Sequence, residues 1–151
     1  MDSIKYLNSA AASLIGIGAM WMSHAAHGAP EADPCSFLTP AQVGAALGTT
    51  VGAGNRIAST LCVWGTPPKR VTLTLHQPRE FEALKMPVGN GVTKIAVGGI
   101  GDEAVSGTSK IATTLSVKKG GVVFVVTVGG FSDEQTKAME KARALDVLAK
   151  L

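Results

Sequence analysis

Ala112–Val128 reads A-T-T-L-S-V-K-K-G-G-V-V-F-V-V-T-V, and the fold turns on it. Up to Lys118, Thr113, Leu115 and Val117 alternate with Thr114, Ser116 and Lys118. Successive side chains of a strand point to opposite faces, so this is a half-buried strand. Lys119-Gly120 or Gly120-Gly121 then supplies a tight hairpin turn. Val122–Val128 is apolar on both faces, which places it in the middle of a sheet. The stretch therefore predicts an antiparallel hairpin with one strand central.

Working outward, Arg70–His76 alternates in the same way, with Val71, Leu73 and Leu75 opposite Thr72, Thr74 and His76. Cys62-Val63-Trp64 reads as a short strand, and Gly65–Lys69, with Pro67-Pro68, as a turn. The Gly-, Thr- and Ala-rich run 49–59 reads as a loop or weak strand. Three helices are expected. The first has Thr39 as N-cap, Pro40 at its first position and Gln42 completing a capping box, with Val43, Ala46 and Leu47 on one face and Gly48 as its stop. Pro78 opens the second, with Phe81 and Leu84 inward. The third starts with a capping box of Ser132 and Gln135 and repeats Ala138, Ala142, Leu145 and Ala149 at helical spacing. Residues 29–34 read as a disordered lead and 87–101 as a glycine-rich link. The expected fold is α+β: an antiparallel sheet with helices packed on one face, stapled by a disulfide.

The beginning of the chain reads as an address. MDSIKYLN carries Lys5, an apolar run follows from Ala10 to Met22, and the small-residue stretch SHAAHGA closes it, the three-part order of a secretory signal. Cleavage is expected after Ala25 or after Gly28, which divides the chain into a signal peptide, 1–28, and one α+β domain, 29–151. The mature protein would be periplasmic or secreted, with no stable membrane span. Cleavage after Gly28 removes Tyr6, Trp21, His24 and His27. One acid (Asp2) and one base (Lys5) leave together, so the formal charge of +3 is unchanged. That charge spread over a domain is ordinary solvated surface.

Cys35 and Cys62, the only cysteines, remain after cleavage, and in an exported chain an even pair is most simply a disulfide. The competing reading is a reactive thiol with His76 as its base. Trp64 beside Cys62 reads as core packing against that bridge, with a surface binding anchor as the sharper alternative.

Several chemistries lack their residues. One His in the folded part and paired thiols leave no His/Cys ligand set for a metal, and no cofactor is expected. Gly99-Ile100-Gly101-Asp102-Glu103-Ala104 matches G-x-G-x-x-A formally, but a dinucleotide fingerprint opens a helix, whereas this run enters VSGTS. A tight turn leading into a strand is the better reading. Asp102 and Glu103 are adjacent and on a strand would face opposite ways, which disfavours paired-carboxylate catalysis. Ser116 with His76 is the remaining hydrolase pair, without an evident orienting acid. Modest charge and no basic-aromatic interleaving argue against nucleic acid as a partner.

Asp33–Gly48 reads D-P-C-S-F-L-T-P-A-Q-V-G-A-A-L-G, followed by Cys62-Val63-Trp64 and by Gly99–Ala104. This order resembles a broad set of exported bacterial proteins of unknown function, many of them small lipoproteins, with the pattern C-x-x-L-T-x-x-x-V-x-x-x-L-G, C-x-W, G-x-G-D-E-A. The resemblance implies export and a shared fold, and carries no activity. The chain departs from it by lacking a lipidation cysteine at the cleavage site.

The expected function is a non-enzymatic binding or interaction module of the cell envelope, its partner an unidentified protein or envelope component. The alternatives are a small extracytoplasmic hydrolase using His76 and an inhibitor of an extracellular enzyme. The candidate binding face is Thr72, Thr74 and His76 with Thr114, Ser116 and Lys118, provided their strands neighbour each other.

Overall fold

The computed structural model describes residues 32–151. The expected signal peptide and the first residues of the lead lie outside the described residues. Seven strands, β1 (Asn55–Ala58), β2 (Leu61–Thr66), β3 (Lys69–His76), β4 (Thr93–Ala96), β5 (Glu103–Thr108), β6 (Thr113–Lys119) and β7 (Val122–Gly129), form one sheet. Its order is β1-β2-β3-β7-β6-β5-β4, with every neighbouring pair antiparallel. The helices are α1 (Pro40–Leu47), α2 (Phe81–Lys85) and α3 (Asp133–Leu148). The strand read as apolar on both faces is β7, and it lies fourth of the seven. Lys119 pairs with Val122 across the turn, so Gly120-Gly121 makes the hairpin, with Gly120 at φ +54°.

One face of the sheet carries the main core. Cys62, Trp64, Val71, Leu73, Leu115, Val117, Phe124, Val126 and Val128 lie on it and are buried, together with Val43 and Leu47 of α1 and Ala144 and Val147 of α3. The first capping box forms as read: Thr39 Oγ1 accepts the Gln42 N–H at 3.2 Å and Gln42 Oε1 accepts the Thr39 N–H at 2.9 Å. Gly48, at φ +64°, closes α1 in the left-handed region that favours glycine. The Cys35–Cys62 disulfide forms and ties the chain before α1 to β2.

Five expectations are corrected. The described end of the lead is ordered: Asp33 Oδ1 accepts the Cys35 N–H at 3.0 Å and caps a 3-10 turn at Pro34–Ser36. The disulfide and a Lys150 Nζ bond to the Ser36 carbonyl, 2.8 Å, hold this turn in place. The glycine-rich link contains β4, because β5 offers it a partner: Ile95 pairs with Ser106 and Ala96 with Val105. Helices do not all lie on one face. Phe81 of α2 clusters with Val105 and Val123, and Val123 points away from the main core because its neighbour Phe124 points into it. Helix α3 has a different phase from the one expected: Ala138, Ala142, Leu145 and Ala149 are exposed, while Thr136, Glu140, Ala144 and Val147 are buried. Its buried stripe is apolar at only two of four positions, and Glu140 is accommodated because its carboxyl finds partners inside. The second capping box is also absent as such. Ser132 Oγ meets Gln135 Oε1 at 3.1 Å, and the Ser132 side chain makes no cap hydrogen bond.

Candidate functional site

The sheet register places the six expected contact residues. β3 and β6 are not neighbours; β7 runs between them. Thr74, Val125, Ser116 and Val105 form one cross-strand row, and His76, Val123, Lys118 and Glu103 the next. Thr72 pairs with Thr127 and Thr114 with Gly107, on the same face. The six therefore share a face, but not an open one. Ser116 is 1% exposed, and Lys118 Nζ lies 5.9 Å from the Phe81 ring centroid.

His76 does have an orienting acid. Its Nδ1 is 3.1 Å from Glu80 Oε2, which also accepts the Gln77 N–H at 2.8 Å. That backbone bond, foremost, holds the Glu80 carboxyl below its ordinary range. Ser116, however, sits two strands and two residues away from His76. At about 4.8 Å between strands and about 3.3 Å per residue, the two α-carbons are about 12 Å apart, beyond a nucleophile–base hydrogen bond. The pair does not assemble. The thiol reading ends with the disulfide, and Trp64, 1% exposed, is core and not an anchor.

The Gly99–Ala104 motif is a clip. Asp102 Oδ2 accepts the Gly120 N–H at 2.7 Å and Oδ1 accepts from Lys119 Nζ at 2.9 Å, so the run closes over the β6–β7 turn. The Gly120 N–H, chiefly, lowers the Asp102 pKa. Gly101, at φ +60°, must be glycine: a Cβ there would lie 2.6 Å from the Lys118 carbonyl oxygen. These residues build a turn, not a nucleotide site.

The opposite face holds the feature that the residues alone did not disclose. Helix α3 packs on β6 and β7, and α1 on β2 and β3, so the β4–β5 end of the core face is left without a helix. A groove of about 360 Å³ opens there, between α3 and β4–β6. Its walls are mainly apolar, including Ile95, Val97, Ile100, Leu115 and Ala138, with Glu134, Lys137 and Lys141 of α3 also lining it. Two further lining residues are polar: Glu140 and Ser106.

Glu140 is 1% exposed. Its Oε1 accepts the Val128 N–H at 3.2 Å and the Thr113 hydroxyl at 3.1 Å. The β6–β7 ladder ends at Leu115↔Val126, and continuing that register would set Thr113 opposite Val128. The carboxyl thus enters where the strands part and takes up the donors left at the end of the ladder. Burial pushes its pKa up to about 7, against the lowering effect of those two donors and of Lys137. Glu140 Oε2 and Ser106 Oγ are both buried without a hydrogen-bond partner. Buried polar atoms normally find one, and both residues line the groove.

No motif in the sequence pointed here. A glutamate among helix charges normally faces water, and Ser106 lies in the strand VSGT, which has no motif. The one usable clue was the 136–140–144–147 spacing, masked by its two polar members. Among the described residues no group of three or more His, Cys, Asp or Glu is placed to hold a metal ion, and no helix is long and apolar enough to cross a membrane.

No protein-family model matches the chain, and neither a curated protein nor a solved structure matches it.

Proposed function

We propose that the chain is an exported, non-enzymatic binding module whose ligand site is the groove between α3 and β4–β6. One observation carries the site: a mainly apolar groove on the core face whose lining includes Glu140 and Ser106, each with a buried side-chain oxygen that nothing in the described chain satisfies. A mostly apolar concavity with a few convergent polar groups is the usual form of a small-molecule site. Its volume of about 360 Å³ suits a small ligand rather than a polymer. Export rests on the signal-like beginning 1–28, on the resemblance to exported bacterial small proteins, and on the Cys35–Cys62 disulfide, which persists in oxidising compartments.

The test is saturable binding of the neutral fluorescent probe N-phenyl-1-naphthylamine to the mature protein. Ala138→Trp, at an exposed groove-lining position, should abolish the fluorescence enhancement without lowering the melting temperature. Enhancement that survives this substitution would place probe binding elsewhere and remove the groove reading. Mass spectrometry of the native protein tests export separately: a mature chain should begin at Ala26 or Ala29, and a chain that still carries residues 1–25 would overturn it.

A further inference from the structure

We infer that the groove takes a primary ammonium group on a short aliphatic body, with Glu140 Oε2 and Ser106 Oγ as the acceptors for its N–H donors. The inference rests on the groove being a ligand site and adds the chemistry of the ligand. Both orphan atoms are oxygens with free lone pairs, and an ammonium is a compact head with three donors and no acceptor. Glu140 Oε1 is already engaged by Val128 and Thr113, so the unmet capacity of the carboxylate lies on Oε2. Lys137 only partly offsets the burial of the Glu140 carboxylate, and a cation placed directly against Oε2 would remove more of that cost. An anionic head would add a second negative charge beside the first. An aliphatic body has Ile95, Val97, Ile100 and Leu115 to lie against.

The charges around the site are few. Lys137, Lys141 and Glu134 of α3 are the other charged residues lining the groove, and its sheet-side lining residues carry no titratable group. Glu140 therefore dominates the pH response of the site. Its pKa is about 7, so the carboxylate form that binds an ammonium is mostly absent at pH 6 and mostly present at pH 8. Hexylammonium remains charged across that range. Its apparent affinity should therefore rise roughly tenfold from pH 6 to pH 8, in proportion to the competent fraction.

Calorimetric titration of the mature protein with hexylammonium chloride, hexanol and sodium hexanoate, at both pH values, tests this. Hexylammonium should bind most tightly, with the tenfold pH dependence. Glu140→Gln keeps an Oε1 acceptor for Val128 and Thr113, so it should stay folded while losing tenfold or more in hexylammonium affinity along with the pH dependence. Ser106→Ala is the second variant: it removes one acceptor without touching the ladder end and should weaken hexylammonium more than hexanol. Ammonium binding that ignores pH and both substitutions would overturn the inference. Hexanol or hexanoate binding more tightly than the amine, and lost in Ala138→Trp, would leave the groove a ligand site and discard the amine. Failure of all three to bind would discard both.

Discussion

Glu140 ordinarily titrates at 4.5 and is raised to about 7, chiefly by burial. Between those values the folded chain keeps a proton that the unfolded chain has released, so stability falls as pH rises from 4.5 to about 7 and levels off above. The expected loss is about 3 kcal/mol, at about 1.4 kcal/mol for each tenfold change in proton affinity. Urea denaturation at pH 5 and pH 8 measures this fall, and Glu140→Gln should remove most of it. A fall unchanged by that substitution would mean that the carboxyl is hydrated in solution. Asp102 has the opposite sign. Its pKa is lowered below 3.8, first by the Gly120 N–H, so its contribution is present above 3.8 and is lost as pH falls through the lowered value. Asp102→Ala should lower the melting temperature at neutral pH, and its gap from the wild type should close in strong acid. Neither role was legible in the residues, because each depends on a backbone N–H brought from another part of the chain.

Local chemistry decided some elements and neighbours decided others. Helix α1 needed only Thr39, Pro40, Gln42 and Gly48, whose caps act within the segment, and it appears as read. Strands β3, β6 and β7 followed from alternation or from a continuous apolar run. Strand β4, with the burial pattern of an exposed edge, carries no such signal and exists because β5 pairs with it. Helix α3 offered two competing stripes, and the sheet chose the one that includes Thr136 and Glu140. The choice has a direct test. Ala144→Leu, at a fully buried position, should destabilise the protein by about 1–3 kcal/mol through overpacking, whereas Ala142→Leu at an exposed one should change it by less than about 0.5 kcal/mol. Equal effects in thermal denaturation would restore the expected phase. Gly54 shows the same dependence on neighbours: a Cβ there would meet Trp64 at 2.6 Å and the Cys62 sulfur at 2.5 Å. Gly54→Ala should therefore cost about 1–3 kcal/mol.

At the scale of the whole molecule, the sheet is wider than its helical cover. Helices α1 and α3 pack on four strands, α2 takes the other face, and the β4–β5 end keeps the groove open. The disulfide holds the far end, closing 27 residues of chain onto β2. Reduction and alkylation should lower stability by about 3–4 kcal/mol in the chain-entropy account, read as a shift of the urea midpoint. Because Cys62 and the groove lie on opposite sides of β7, groove binding should survive reduction wherever the protein remains folded.

The sequence by itself determined the antiparallel class, the central β7, the first helix and the disulfide partners. These follow from period, capping and a cysteine count, all of which act over a few residues or have one solution. The tertiary structure alone decided that β7 separates β3 from β6, that α2 crosses to the other face and that α3 turns Glu140 inward. The candidate site moved with those decisions. Each of them weighs one long-range contact against another, and nothing in a local stretch of chain records which contact wins.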